Sequence, residues 1–452
     1  MPDAINAGDT AWVLMAAAMV LLMTPGVAFF YGGMTRAKSV LNMMMMSFLA
    51  LGLVTVLSVA FGFSLSFGDG GNGLIGDLSV SGLTPLVGAL ATNGGTYPIP
   101  ALAFAMFQLM FAVITVALIT GAVADRMKFL AWGIFAVVWA TLVYFPVAHW
   151  VFDFGSDELG GSGAGWLANL GVLDFAGGTA VHINAGAAAL ALALVLGRRI
   201  GFGKTPMKPH NLPLVVLGAS LLFFGWFGFN AGSALGANGL AAVAFTNTMV
   251  ATAAGVLGWL LVEKLRDGHA TSLGAASGAI AALVAITPAC AFVAPWGAIA
   301  IGALAGVICA FAVTLKYRLK VDDSLDVVGV HLVGGVIGCL ALGFFATTSV
   351  NELGRDGLLY GGGLDVLWTQ AIGAFAVLGY SFAVTLILAF VLKATVKLRV
   401  TSDEEISGID LAVHAETGYV LGESGGGGVF AGIGAGAVQR QQQLRRNEEE
   451  GR

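Results

Sequence analysis

Uncharged apolar runs recur along the whole chain. Each has about 20 residues, enough to cross a bilayer as a helix rising 1.5 Å per residue. The first, "AWVLMAAAMVLLMTPGVAFFY" at 11–31, holds no ionisable charge at neutral pH. A chain that is 58% hydrophobic and 10% charged, with a mean hydropathy of +0.88, lies far outside the soluble globular range. The runs predict an all-α polytopic membrane protein. Its 66 glycines suit close approach of helix backbones in lipid. Cys290, Cys309 and Cys339 fall in apolar spans without metal-ligand spacing, so they read as small buried hydrophobes. The start, "MPDAINAGDT", lacks Lys and Arg, unlike the basic region of a signal peptide, and predicts a retained first span.

Eleven spans are expected: 11–31, 40–67, 98–124, 129–152, 175–197, 212–235, 240–262, 272–293, 296–315, 327–346 and 366–392. The linkers alternate in charge. Arg36 and Lys38 follow the first span, Arg126 and Lys128 the third, and Arg198, Arg199, Lys204 and Lys208 the fifth. Lys264 and Arg266 follow the seventh, Lys316, Arg318 and Lys320 the ninth, and the remaining bases but one lie in the tail. Of the 21 Lys and Arg, only Arg355 falls on the other side. Because bases are retained in the cytoplasm, this predicts an outer N-terminus and a cytoplasmic C-terminus.

The two halves echo each other. "FFYGGMTRAKSVLN" at 29–42 closes span one and "FFGWFGFNAGSALGAN" at 223–238 closes span six. "LDFAGGTAVH" at 173–182 opens span five and "LDVVGVH" at 325–331 opens span ten. Partners five spans apart run in opposite directions. The expected fold is therefore two inverted five-helix pseudo-repeats plus an eleventh helix, with a site near the midplane where the halves meet.

Six histidines occur, and His182 and His331 are the clearly intramembrane ones, in the corresponding fifth and tenth spans. A charge at the bilayer centre costs about 3 kcal/mol on insertion scales. Two neutral histidines tying helices together is one reading. Two rings facing a pore, where they pass a proton or line a path for a small neutral molecule, is the other. Asp174, ahead of the span-five helix, is a helix cap or an electrostatic attractor for a cation. Asp322, Asp323 and Asp326 sit among bases, where capping or ion pairing is expected. Phe107 and Phe111 share one face of span three. Phe107 near an outer mouth has a ring face to offer a cation, and two stacked phenyls can plug a narrow path. Phe229 lies beside Trp226, and Ser233 one turn beyond it offers a hydrogen bond.

The motifs "FYGG", "FAVIT", "LDFAGGTAVHINAG", "KPHNLP", "GWFGFNAGSA", "NTMVATAAG", "SGAIAALVAITPAC" and "VDDSLDVVGVH" run in order over roughly residues 10–415. Together they resemble the ammonium transporter (Amt/MEP/Rh) superfamily, and its Amt-type members in particular. The resemblance implies eleven spans, a homotrimer with one pore per subunit, and ammonium or ammonia, with methylammonium as an analogue, as the permeant in a cell membrane. By motif position, Asp174 matches the acidic residue near the outer recruitment site, and Phe107 and Ser233 match residues lining it. Phe111 and Phe229 match a paired phenyl gate. His182 and His331 match the twin histidines of the pore, with Trp226 and Thr287 from the quoted motifs as further pore residues. No cofactor or metal and no catalytic residues are implied.

One departure bears on the outer site. The family often carries Trp at the end of the run that here reads "HWVF", so Phe152 stands at the cation-binding wall, with Trp150 two before it and Trp166 in the same linker. Phe offers a cation a weaker face than Trp. The expected mechanism recruits ammonium outside, strips a proton and passes ammonia along the histidines, with the proton either lost outside or carried separately. In the tail, "GIDLAVHAETGYV" at 408–420 resembles the family segment that braces neighbouring subunits. Residues 1–392 thus form the membrane domain, 393–420 a tail on the inner face, and 421–452 a flexible Gly-rich and charged end. The resemblance also implies a PII-type regulatory protein at the cytoplasmic face. The rival readings are an Rh-like neutral gas channel for ammonia or carbon dioxide, and an ammonium sensor with incidental flux.

Overall fold

A computed structural model describes residues 5–155 and 163–419. Among the described residues, ten helical segments have the length and apolarity to cross a membrane. In chain order with one shorter helix between them, they are α1 (Ala7–Met34), α2 (Ala37–Phe67), α3 (Ala101–Val123), α4 (Phe129–Phe152), α5 (Gly178–Leu196), α6 (Leu212–Gly232), α7 (Gly239–Asp267), α8 (Ser272–Ile286), α9 (Pro295–Leu319), α10 (Val328–Phe345) and α11 (Asp365–Thr395). The multi-pass membrane architecture expected from the apolar runs is present.

The structure differs from expectation in two places. Residues 272–293 were expected as a full span, but α8 is helical for only 15 residues and continues as turns that end in an isolated bridge from Val293 to Ala346. Thr287 and Pro288 follow its last helical residue, and Pro288 lacks the N–H needed to extend the ladder. The linker between α2 and α3 holds a small antiparallel hairpin, β1 (Leu90–Thr92) and β2 (Thr96–Pro100), in an otherwise helical chain. Its turn passes through Gly94 and Gly95, both at positive φ, where side chains are disfavoured.

The core is a bundle in which α1 packs along α6, α7 along α9, and α5 against α11. The two halves meet where α5 and α10 cross. A Cβ on Gly186 would stand 2.6 Å from the Leu332 backbone, and one on Gly335 would stand 2.9 Å from the Ile183 side chain. Only glycine admits so close an approach, and the approach brings the first turns of α5 and α10 together.

The linkers carrying the bases meet on one face. Arg36 and Arg199 both pair with Asp125, Arg199 and Arg126 with Asp322, and Arg399 with Glu405. Burial would raise the Asp322 carboxyl, but hydrogen bonds from Arg199 and the Arg126 charge hold it below the usual range. Residues 398–419 close over this face. The Asp410 carboxylate accepts the N–H groups of Leu41 at 3.0 Å and Asn42 at 2.7 Å. It thereby caps the α-helical part of α2, which starts at Val40 and whose preceding Ser39 makes no capping bond. His414 sits edge-on to Phe129, with ring centroids 4.8 Å apart. The flexible end expected over residues 421–452 lies outside the described residues.

Candidate functional site

The first turns of α5 and α10 are built alike. Each is a single π-turn, Gly178–Ile183 and Val328–Leu332, and each holds its histidine as the next-to-last residue. π-turns cluster at functional sites because the wider turn re-aims a side chain. A carboxylate precedes each histidine by eight residues. Asp174 accepts four N–H bonds, from Gly177, Gly178 and Thr179 at 2.7 Å each and from Ala180 at 3.2 Å. Asp323 accepts from Val327 at 3.1 Å and Val328 at 2.7 Å. The capping reading of Asp174 matches this geometry: both of its oxygens are engaged by backbone. The counterpart of Asp174 in the second half is Asp323, not the Asp326 of the "LDVVGVH" echo. Asp326 instead accepts a bond from Lys316 at 2.6 Å.

His182 and His331 are both buried, with Nδ1 atoms 3.3 Å apart. Their ring planes lie 28° apart at a centroid distance of 5.3 Å. Two Nδ1 atoms in contact share one proton, so one ring donates and the other accepts. Trp226 stacks on His182 at 5.3 Å, and its Nε1 donates to Thr287 Oγ1 at 2.8 Å, which fixes the indole. Thr287 in turn donates to the Leu283 carbonyl at 2.7 Å. Thr287 therefore reaches the histidines only through Trp226.

A phenyl pair adjoins the histidines. Phe111 and Phe229 stack at 4.1 Å with planes 10° apart, and Phe229 lies 6.1 Å from His182. Phe107 meets Phe111 edge-on at 4.9 Å, and Phe152 meets Phe111 at 6.1 Å and 89°. Ser233 Oγ donates to the Phe229 carbonyl at 2.8 Å. The structure does not bring Trp150 to this group. Its ring packs on Trp166 and Tyr380, and its Nε1 donates to the Leu74 carbonyl at 2.7 Å. The aromatic neighbour of Phe111 from the end of α4 is Phe152.

Beside the histidines lies a cavity of about 10 Å³, lined by Tyr31, Ile114, Trp226, Phe229 and both imidazoles among others. That is room for about one water-sized molecule. The Nε2 of His182 has no partner among the described residues. Tyr31, which sequence reasoning left unassigned, donates its hydroxyl to the Leu118 carbonyl at 3.2 Å. Its place at the end of the first span, in "FFYGG", was the available signal. Cys339, read as a buried hydrophobe, also bonds Thr179 Oγ1 at 3.1 Å, joining α10 to the α5 turn.

The chain itself matches a known family. The model of the Ammonium Transporter Family matches residues 11–419. The chain belongs to that family. An ammonium transporter of Mycobacterium tuberculosis is 57% identical over 433 residues, covering 92% of this chain and 90% of that protein. Among solved structures, Mep2 of Saccharomyces cerevisiae superposes with a TM-score of 0.80 at 36% identity, covering 88% of each chain. A protein titled as a sensor Amt protein superposes with a TM-score of 0.82 at 30% identity, covering 91% of this chain and all of the other. Membership in the ammonium transporter family agrees with the membrane fold and the motif order read from the sequence.

Proposed function

We propose that this chain transports ammonium, admitting the ion at a vestibule near Phe107, Phe152 and Ser233 and passing it onward as ammonia. The observation that carries the reading is the order of the parts: a closed phenyl stack at 4.1 Å lies directly against two facing imidazoles. Selectivity over potassium is the physical problem, since the two ions are alike in size and charge. Carbonyl rings replace a hydration shell, as potassium filters do. The Phe111–Phe229 stack offers no such replacement, so an intact cation stalls there. Ammonium alone can shed a proton and continue as a neutral molecule with donors and a lone pair. The single proton between His182 and His331 gives that molecule an acceptor on one side and a donor on the other. The same pair offers the released proton a separate route, making the flux electrogenic.

Asp174 contributes a fixed negative charge at the head of α5 while its oxygens stay on the backbone. The face that gathers the paired bases is the cytoplasmic one, with the N-terminus outside and residues 393–420 beneath the membrane domain. In this reading the protein lies in the cell membrane as a homotrimer, and the basic linker 198–208 meets a PII-type regulator.

Current through proteoliposomes tests the proposal. Ammonium and methylammonium should drive inward positive current and potassium none. A neutral gas channel gives ammonia flux without current. A sensor keeps signalling when flux is abolished. Robust potassium current through the native chain would overturn the mechanism.

A further inference from the structure

A second small cavity, mostly apolar in its lining but bordered by a few polar side chains, lies off the axis of the histidines, between α2, α3 and α4. It is about 10 Å³ in volume, and Ser58, Gly62, Gln108, Ala112, Tyr144 and Phe145 are among the residues lining it. Two observations meet there. Ser58 Oγ and Tyr144 Oη both belong to residues only 2% exposed, and neither makes a hydrogen bond of full geometry among the described residues; the Thr115 hydroxyl lies close to Tyr144 Oη but donates to the Phe111 carbonyl at 2.6 Å. Both hydroxyls also sit in π-turns, Ser58–Gly62 of α2 and Ala140–Tyr144 of α4, so the two widened turns lie against the same cavity. Ser39 and Ser47 of α2 also carry unpartnered hydroxyls, but only Ser58 and Tyr144 bring theirs to this cavity, while others are satisfied within the helix. Ser66 and Thr141, for example, bond back to carbonyls one turn earlier, at 3.0 and 2.8 Å.

We infer that this cavity binds one water molecule that bridges Ser58 Oγ and Tyr144 Oη. Leaving a buried hydroxyl unpaired costs about 1–3 kcal/mol. A cavity of about 10–15 Å³ holds one water, given two or more polar partners. The two hydroxyls supply both a donor and an acceptor, as water requires, and the Gln108 amide borders the same space. Gly62 leaves room for the Phe145 ring, which a Cβ would meet at 2.1 Å, and that ring forms one wall. The site backs onto α3, the helix that carries Phe107 and Phe111, through Gln108, Leu109 and Ala112. A water here would therefore tie α2 to α4 behind the gate-bearing helix without entering the pore.

The test uses the full chain in ammonium-free buffer. A structure at a resolution that shows ordered waters should contain a peak within hydrogen-bonding distance of both oxygens, and Ser58→Ala combined with Tyr144→Phe should lose it. Hydroxyl-radical footprinting supplies a second readout, because radicals made from a bound water label its neighbours. Tyr144 should be modified despite its burial, at least several-fold faster than in the Ser58→Ala variant, which lacks one of the water's two partners. Absence of the peak would overturn the inference, as would direct bonds from both hydroxyls to protein atoms. A peak that appears only when ammonium is added would also overturn it, identifying the occupant as ammonia.

Discussion

His182 and His331 hold one proton between Nδ1 atoms 3.3 Å apart. The contact makes the two rings a unit. Replacing either with alanine leaves the other imidazole buried without its partner, at a cost of about 1–3 kcal/mol. Each single variant should lose at least about tenfold in ammonium current. The double variant should lose no more than the worse single, because residues that act together are non-additive. Currents from all three variants in proteoliposomes check this. Losses that multiply would mean that the rings act independently.

Asp174 stands ahead of His182 with four backbone N–H groups on its carboxylate. Asp174→Ala strips the cap from the π-turn that aims the imidazole, with an expected loss of about 2 kcal/mol, at the upper end for helix caps. Asp174→Asn keeps one acceptor oxygen and should lose less. Thermal unfolding in detergent, read beside the ammonium concentration at half-maximal current, separates the roles. A cap moves stability first. A direct cation ligand would weaken half-saturation and leave stability unchanged.

The membrane plan was legible because it depends on local quantities: run length, the side on which bases fall, and two histidines where hydrocarbon is expected. The limits of α4, Phe129–Phe152, coincide with the apolar run. What the sequence hid depends on tertiary placement. The echo of "LDFAGGTAVH" and "LDVVGVH" paired Asp174 with Asp326, yet the matched cap is Asp323, because each carboxylate stands at a fixed distance from its histidine and "LD" is a coincidence of letters. Nor could the sequence choose among Phe152, Trp150 and Trp166, since an indole two residues away on a helix points to a different neighbour. The cap that Asp410 places on α2 joins residues 368 apart along the chain, and no local pattern encodes it.

Phe152 meets Phe111 edge-on, and at the proposed outer vestibule a larger, more electron-rich ring would hold a cation better. Phe152→Trp should lower the half-saturating ammonium concentration by about two- to fivefold, the change that about 0.5–1 kcal/mol of added cation–π attraction gives. Maximal current should change little, since the stack of Phe111 and Phe229 is untouched. Concentration–current curves for the variant and the native chain test it. An unchanged midpoint would remove Phe152 from the ion's path.

Asp323 caps α10 from a buried position, and that position makes stability depend on pH. Burial pushes its carboxyl up to about 6, the nearby Asp326 adds to the rise, and Lys316 opposes it. In the unfolded chain an Asp titrates near about 4. Between these values the folded protein binds the extra proton, so stability from this group rises as pH falls from about 6 to about 4, by at most about 1.4 kcal/mol per pH unit. Above about 6 the carboxylate is charged in both states, and the contribution is flat at its lower value. Asp410, raised mainly by burial, adds in the same direction. Asp322 works oppositely: held low by Arg199 and Arg126, it stabilises above its unfolded range and loses that effect only in stronger acid. The native chain should therefore be more resistant to denaturant at pH 5 than at pH 7. Asp323→Asn keeps an acceptor for the Val328 N–H without the buried charge, so it should reduce that difference and match or exceed native stability at pH 7. Unfolding midpoints in detergent at the two pH values decide it, and a native chain that weakens on going to pH 5 would show that the carboxylate network, rather than the Asp323 cap, governs the response.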